Sequence, residues 1–437
     1  MALRKIPLAP FFKGGIFLFI GAIATSLFLF GCGFDYQSSG VCPGFVAGSL
    51  PNPTFSAGTV NTKIPVNHII VLMQENHSFD NYFGRLSHPN YYGQEIDGSR
   101  EGMSNPDIAG RSVAIFHQND LCMADIDHSA AGMYMAWNGG KHDQFVRNMG
   151  VSAMSYYDQT DLPYYYELAN QFAIADRYFS SFLGPTYPNR YFLLAGTAFG
   201  HVENDMPQSA NDFAQKTIFD VLNQFNVSWK YYTDYRGEVD GQPGYLALFG
   251  PMASRNTSRI VSLSEYTQDI AQGKLPSVVF LDANETNHES EHPGLNIQIG
   301  QSWVSDRLHT LMNSPYWRDS VMFLVYDEGG GFYDHVPPPE ACSPDNINPQ
   351  AYTRYGFRVP FVAISPYAKR HYVSHQVYDH TSILKFIQTK FNLPALTIRD
   401  AAANDLLDLF DFSNPRFDLP QFPSTSKIRG CGSSSSS

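Results

Sequence analysis

The sequence predicts an α/β fold in which helices cover a mostly parallel sheet. Four short apolar runs rich in β-branched residues are continuous rather than alternating, which is typical of strands buried on both faces of a parallel sheet. Stretches with helical periodicity lie between these runs. Strands that alternate with helices along a chain indicate a layered α/β domain.

The predicted elements follow one another through most of the chain. We expect strands at residues 67–74, 277–281, 320–326 and 359–365, and helices at 161–172, 217–226, 301–313 and 381–391. No internal repeat and no long Gly/Ser/Pro linker interrupts residues 64–415, so this range is predicted to be one large domain. Residues 33–63 are predicted to be a linker, and residues 416–437 a C-terminal tail that ends in a flexible serine run at 432–437.

The composition restricts the class of protein. The 437-residue chain contains 43% hydrophobic and 16% charged residues, which excludes both a disordered protein and a multi-span membrane protein. Its 29 basic and 41 acidic residues give a formal net charge of −12. Nucleic-acid binding needs a basic surface, so we predict no nucleic-acid partner. The sequence predicts no protein partner either.

The N-terminus has the features of an export signal. Arg4, Lys5 and Lys13 precede an apolar run at residues 16–31, which has the length of a signal-peptide core and is short for a membrane span. The run ends in Leu29-Phe30-Gly31-Cys32, which resembles a bacterial lipobox. Residues 1–32 are therefore predicted to be a signal peptide, with lipidation of Cys32, ordinary cleavage and a retained anchor as open alternatives. We expect the protein to be secreted, periplasmic or associated with the outer membrane.

The remaining cysteines agree with export. They are Cys42, Cys122, Cys342 and Cys431. An oxidising compartment would allow two disulfides among them, in any of three pairings. A cysteine metal site is the weaker interpretation, because no two of them are spaced as in C-x-x-C.

Polar residues follow the predicted strands and point to a metal site. Glu75 and Asn76 follow the first strand, Asp282 the second, Asp327 and Glu328 the third, and Ser365 and Pro366 end the fourth. In open parallel sheets, ligands bind at the carboxyl ends of the strands. Carboxylates gathered at that edge would repel one another unless a cation lay among them. We therefore predict a divalent metal ion there.

Thr186 is the candidate nucleophile. It lies in the turn GPTYPNR, residues 184–190, which leads into an apolar helical run. A hydroxyl at a helix start faces backbone N–H groups that favour bound phosphate, and metal coordination would lower its pKa. The alternative is structural, since a threonine in a proline-rich turn, a helix cap at Asn76 and a glycine turn at 329–331 are all common without any chemistry.

Three histidines lie in polar, turn-rich segments and are further candidates: His128, His292 and His335. Imidazole together with carboxylate suits zinc or another transition metal, whereas oxygen ligands alone suit magnesium or calcium.

Residues 71–84, VLMQENHSFDNYFG, resemble a segment of the bacterial phosphoesterases, the family of phospholipases C and respiratory-burst-inhibiting acid phosphatases, which typically reads QENRSFDHYFG. Further matching segments follow in order at 127–129, 136–141, 184–190, 291–293, 327–338, 365–367 and 379–382. The resemblance covers about residues 66–412. His77 stands in place of the common Arg, Asn81 in place of the common His, and Gly329 where some members have His, which leaves the substrate preference open.

The resemblance implies an alkaline-phosphatase-like three-layer sandwich with a mostly parallel central sheet. It makes residues 64–415 the predicted catalytic domain. It also implies a metal held by Glu75, Asn76, Thr186, Asp327 and Glu328. Zinc is the predicted metal because of its Lewis acidity, with calcium and magnesium as alternatives.

The resemblance also implies roles for the nucleophile and the histidines. Thr186 would attack phosphorus, His292 would protonate the leaving group, and His128 and His292 would contact the phosphate. Asn76 would offset charge on the phosphoryl oxygens, and His335 would help to bind the substrate.

The function predicted from these residues is that of an exported, metal-dependent phospholipase C. It would act at a membrane surface on phosphatidylcholine-type glycerophospholipids and release diacylglycerol and a phosphorylated head group. One alternative is an acid phosphatase for soluble phosphomonoesters. Another is a non-catalytic exported lipid-binding protein.

Overall fold

Twelve strands and eleven α-helices make up the described part of the chain. The computed structural model describes residues 42–205, 213, 215–234, 245, 249–283, 288–425 and 431, so the predicted signal peptide and serine run lie outside it. The strands are β1 His68–Gln74, β2 Ser104–Pro106, β3 Ser112–Ala114, β4 Phe116–His117, β5 Ser155–Tyr156, β6 Ala173–Ala175, β7 Trp229–Tyr232, β8 Ile260–Val261, β9 Val278–Asp282, β10 Ser320–Tyr326, β11 Phe361–Ile364 and β12 Tyr372–Ser374. The helices are α1 Phe79–Tyr82, α2 Ala130–Trp137, α3 Phe145–Met149, α4 Pro163–Gln171, α5 Thr186–Ala195, α6 Ile218–Gln224, α7 Gly250–Arg255, α8 Leu263–Ala271, α9 Ile297–Met312, α10 His380–Phe391 and α11 Ile398–Ala402.

Eight strands form the central sheet, in the spatial order β12-β6-β11-β10-β1-β9-β7-β8. All run in one direction except β11, which is antiparallel to both of its neighbours. The predicted mostly parallel α/β fold is therefore confirmed. The first predicted strand, β1, lies between β10 and β9, with Gln74 paired to Tyr326 and Met73 to Asp282. The residues that follow β1, β9 and β10 thus emerge at one edge of the sheet.

The fourth predicted strand, β11, runs in the direction opposite to the one expected. The Ser365 hydroxyl donates to the Ser320 carbonyl at 2.8 Å, at the amino end of β10. Ser365 and Pro366 therefore lie at the edge away from Glu75 and Asp327. The apolar run could not reveal this, because an interior strand buried on both faces has the same composition in either direction.

Helices cover both faces of the sheet. On one face, Met73 of β1 and Leu193 of α5 line the same small cavity. Tyr326 of β10 follows the residue paired with Met73, and its side chain therefore points to the other face. There, Tyr326 and Tyr165 of α4 donate hydrogen bonds to one acceptor, Glu291. With α10 packed beside α5, and α9 beside α4, the protein has the three predicted layers.

Parts of the predicted linker and tail pack on the domain. The two disulfides are Cys42–Cys342 and Cys122–Cys431, one of the three pairings that the sequence allowed. The Asn61 backbone N–H donates to the Lys390 carbonyl at 2.7 Å, and the Arg318 guanidinium lies 4.0 Å from the centre of the Phe417 ring.

The bounds of the predicted catalytic domain, residues 64–415, stay a prediction. Among the described residues, we find no helix that combines the length and the apolar character needed to cross a bilayer.

Candidate active site

Four of the predicted oxygen donors lie together at the carboxyl edge of the sheet. Glu75 and Asn76 follow β1, Asp327 and Glu328 follow the neighbouring β10, and all four are buried. The Asn76 backbone N–H donates to Asp327 Oδ1 at 3.1 Å. The Asp327 backbone N–H donates to the carbonyl of Gln74 at 3.1 Å, which joins the two strand ends directly.

Glycines let the segment after Glu328 approach these strand ends. Gly330 has a φ of +62°, and a Cβ atom there would lie 2.0 Å from the carbonyl oxygen of Asn76. A Cβ atom on Gly331 would lie 2.4 Å from the carbonyl oxygen of Asp127. The Gly330 N–H donates to Glu328 Oε2 at 2.7 Å and so orients that carboxylate. The glycine run is thus more than a flexible turn, because Gly330 and Gly331 pack closely against the backbone of Asn76 and Asp127.

Thr186 is brought to the same place as the first residue of α5. Its Oγ1 donates to Asn76 Oδ1 at 3.4 Å. Pro185 and Pro188 fit the start of the helix because the first turn needs no N–H donors. Asn189 then fixes the preceding loop, since its Oδ1 accepts from the Phe182 N–H at 2.9 Å and its Nδ2 donates to the Gly184 carbonyl at 2.9 Å.

The Asn76 amide has two possible orientations in this cluster. In one orientation its nitrogen donates to Glu328 Oε1 at 3.0 Å and its oxygen accepts from His292 Nε2 at 3.1 Å. In the other, its oxygen faces Thr186 and the carboxylates of Asp327 and Glu328. The second orientation places oxygen against oxygen and is favourable only with a cation between them.

Burial raises the pKa values of two carboxyl groups in the cluster. Burial, with Glu75 nearby, raises the pKa of Asp327 to about 6. Burial likewise holds the pKa of Glu328 well above its ordinary value, although His128 opposes the effect. Burial thus disfavours the charged carboxylates, and a divalent cation bound by oxygen ligands would favour their ionised forms.

His128 and His292 lie next to this cluster, with ring centroids 5.9 Å apart. The His128 Nδ1 lies 2.9 Å from the Ile126 carbonyl, and the His292 Nδ1 lies 2.9 Å from the Pro293 carbonyl. Each Nδ1–H can therefore donate to a backbone oxygen, which fixes the orientation of the ring. Burial alone would lower the pKa of His128, but Glu328 and Asp125 outweigh it and raise the pKa to about 10.

His335 is held elsewhere. Its Nδ1 lies 2.6 Å from Asp80 Oδ2 and its Nε2 lies 3.1 Å from Asp97 Oδ1. Arg358 also pairs with Asp80, at 3.1 Å. Both ring nitrogens thus take part in a network of charged groups that supports the loop around His335. The structure does not bring His335 to the other candidate residues. Its role in binding substrate stays a prediction.

Arg190 is the main functional candidate to which the sequence assigned no role. Its Nη2 donates to Glu75 Oε1 at 2.7 Å and its Nη1 donates to Asp282 Oδ1 at 3.1 Å. Its Nε lies 3.7 Å from Asp327 Oδ2. The spacing could have indicated that Arg190 lies near the site, because a residue four positions after Thr186 in a helix lies on the same face as Thr186.

His380 also supports the cluster. The sequence favoured a helix start here, and His380 is the first residue of α10. In addition, its Nε2 donates to the Asp327 carbonyl at 2.7 Å. Burial lowers the pKa of His380 to about 3, so the ring is neutral and acts as a fixed donor.

Comparison with known proteins places the chain in a family. The model of the Phosphoesterase family matches residues 66–394. The chain belongs to the Phosphoesterase family. The predicted class, a phosphoric ester hydrolase, is thereby confirmed at the level of the family, whose matched region contains every candidate residue of the cluster.

Curated relatives in this family are phospholipases C. The chain is 31% identical to the non-hemolytic phospholipase C of Burkholderia pseudomallei, over 83% of this chain and 61% of that protein. It is 30% identical to phospholipase C B of Mycobacterium tuberculosis, over 88% of this chain and 87% of that protein. The chain thus spans less than two thirds of the first of these relatives. Among solved structures it is similar to a protein in the alkaline phosphatase superfamily from Vibrio parahaemolyticus, with a TM-score of 0.41 and 8% identity over 83% of this chain and 73% of that one.

Proposed function

We propose that this protein is an exported, metal-dependent phospholipase C that uses Thr186 as its nucleophile. The observation that carries the proposal is the position of the Thr186 hydroxyl, 3.4 Å from the Asn76 amide and beside the buried carboxylates of Asp327 and Glu328. The phospholipase C relatives support a phospholipid or related phosphate ester as the substrate.

The reaction takes place in two steps. Thr186 Oγ1, whose proton passes to solvent, attacks phosphorus while the bond to the diacylglycerol oxygen breaks, and the positive end of α5 favours the phosphoryl group. His292 Nε2 gives a proton to the leaving oxygen. Water then attacks the phosphothreonine and gives a proton to His292 Nε2, the bond from phosphorus to Oγ1 breaks as Oγ1 takes a proton from solvent, and the phosphorylated head group leaves. His128 contacts the phosphoryl oxygens throughout.

A divalent cation would be held by Glu75, Asn76, Thr186, Asp327 and Glu328, where it would lower the pKa of the threonine hydroxyl and offset phosphoryl charge. The gathered donors are all oxygen atoms, a set that calcium and magnesium prefer and zinc tolerates. Stripping the protein and reloading it with a single metal decides between these ions and the predicted zinc.

Export and a membrane-bound substrate complete the proposal. The basic and apolar N-terminal sequence and the two disulfides support an oxidising compartment outside the cytoplasm. Phospholipids are then reached at a bilayer surface, where the head group enters the candidate active site and the acyl chains stay in the membrane.

The first test is the Thr186→Ala variant. Without the hydroxyl no phosphoenzyme can form, so release of the head group from phosphatidylcholine vesicles should fall by about a thousandfold or more. Thr186→Ser is the matched control and should keep measurable turnover. An alanine variant with near wild-type activity and normal folding would remove Thr186 as nucleophile.

The second test separates phospholipase C from acid phosphatase. We expect phosphatidylcholine to be hydrolysed with a much higher kcat/KM than p-nitrophenyl phosphate. The opposite ranking would favour a phosphatase for soluble monoesters. Binding of vesicles without turnover in any metal would favour a lipid-binding protein.

A further inference from the structure

Arg190 places a positive charge inside the acidic cluster, one helical turn after Thr186. Its guanidinium contacts Glu75, Asp282 and Asp327, which end three neighbouring strands. Arg190 is 3% exposed, and its carboxylate partners are 4%, 4% and 0% exposed. These are internal ion pairs, which stabilise a protein only when all charges are matched.

Aromatic residues close the arginine off from solvent. The Tyr245 ring lies with its centre 3.8 Å from the guanidinium carbon, and its hydroxyl donates to Glu75. On the far side, the Tyr231 hydroxyl donates to Asp282. The Arg190 cation is thus held by a ring face as well as by carboxylates.

Arg190 and the proposed metal divide one set of ligands. Asp327 Oδ1 accepts from the Asn76 N–H, and Asp327 Oδ2 lies 3.7 Å from the Arg190 Nε. The Arg190 Nε makes no hydrogen bond of its own among the described residues. Glu75 is shared in the same way. It is a proposed metal ligand next to Asn76, and it also pairs with Arg190.

We propose that Arg190 is a positioning residue that occupies the place of a second cation, so that this cluster binds one divalent ion instead of two. The proposal rests on the metal site of the proposed function. Three carboxylates within 4 Å of one guanidinium would, without it, form an oxygen site suited to a hard divalent cation. Arg190 also keeps the carboxylates of Glu75 and Asp327 apart at fixed positions.

The test compares ion stoichiometry in the wild type and in Arg190→Ala. Metal-free protein is titrated with calcium, magnesium or zinc alone, by calorimetry and by elemental analysis after gel filtration. We expect one bound ion per wild-type chain and two per Arg190→Ala chain. One ion in both proteins would overturn the proposal, whereas no bound ion in the wild type would instead overturn the metal site of the proposed function.

Two further variants and a chemical competitor make the test specific. Arg190→Lys keeps a cation and should bind one ion, and Arg190→Ala with Asp282→Asn lacks a ligand and should also bind one. Guanidinium at low millimolar concentration should weaken only the second binding step of Arg190→Ala. An Arg190→Ala protein that folds poorly should recover its melting temperature with either excess divalent ion or guanidinium, and failure of both to restore it would contradict the proposal.

Discussion

Glu291 carries a fully buried carboxyl group one residue before His292. The hydroxyls of Tyr165 and Tyr326 donate to it, and its backbone carbonyl lies 2.9 Å from His77 Nε2. Burial raises the pKa of Glu291 to about 7, although the tyrosine donors oppose the shift. The folded protein therefore binds a proton here more tightly than the unfolded chain does.

Replacing Glu291 with Gln should change how stability depends on pH. Between the ordinary glutamate pKa of 4.5, which applies to the unfolded chain, and the folded value of about 7, the folded wild type holds more protons, so its stability falls as pH rises through this window. Glu291→Gln lacks this loss. Its free energy of unfolding relative to the wild type should rise by roughly 3 kcal/mol from pH 4 to pH 8.

Urea unfolding at a series of pH values measures this difference. The matched control is Glu340→Gln, which replaces a glutamate whose side chain is 66% exposed. Parallel pH profiles for the wild type and Glu291→Gln would show that the buried carboxyl does not titrate in this range.

At the scale of elements, the segment after β10 is placed by contact between two backbones. Gly330→Ala should lower both stability and activity, because its Cβ would push the Asn76 carbonyl away from the site. We expect a loss of about 3 kcal/mol in the free energy of unfolding, which combines a steric clash with an unfavourable φ.

Gly139→Ala is the matched control for the backbone conformation. Gly139 has a φ of +64°, but a Cβ atom there meets nothing within 4 Å. It should lose only about 1 kcal/mol and keep its turnover. Stability is measured by thermal unfolding and turnover by the vesicle assay. Equal losses of both in the two variants would mean that the clash with Asn76 is relieved without a loss of stability.

At the scale of the whole molecule, the disulfides join segments that are far apart in sequence. Cys42–Cys342 has a sequence separation of 300 residues and fixes the start of the described chain. Cys342→Ser together with Cys42→Ser should lower the free energy of unfolding by about 2–4 kcal/mol, because the unfolded chain becomes less restricted. Activity at 25 °C should persist, since neither cysteine contacts the candidate active site.

Urea unfolding with and without a reductant tests this prediction. The wild type should lose stability when it is reduced, and the double variant should lose less because only Cys122–Cys431 remains to be broken. An unchanged unfolding midpoint in the double variant would contradict a stabilising role for this bond.

The sequence by itself determined the α/β class, the three central parallel strands and the acidic residues at their ends. Continuous apolar runs such as 320–326 indicate buried strands, because they are short and contain β-branched residues. Short strands such as β6 and β12, of three residues each, left no such pattern. They form because neighbouring strands supply their hydrogen bonds.

The tertiary structure decided which residues share the site. Arg190 and His335 both lie in motifs that the sequence singled out, yet one pairs with the acidic cluster and the other with Asp80 and Asp97. Likewise, only strand pairing fixed the antiparallel direction of β11. The physical reason is the same in each case: a side chain's type and its local pattern record burial and charge, whereas its partners depend on contacts between segments hundreds of residues apart.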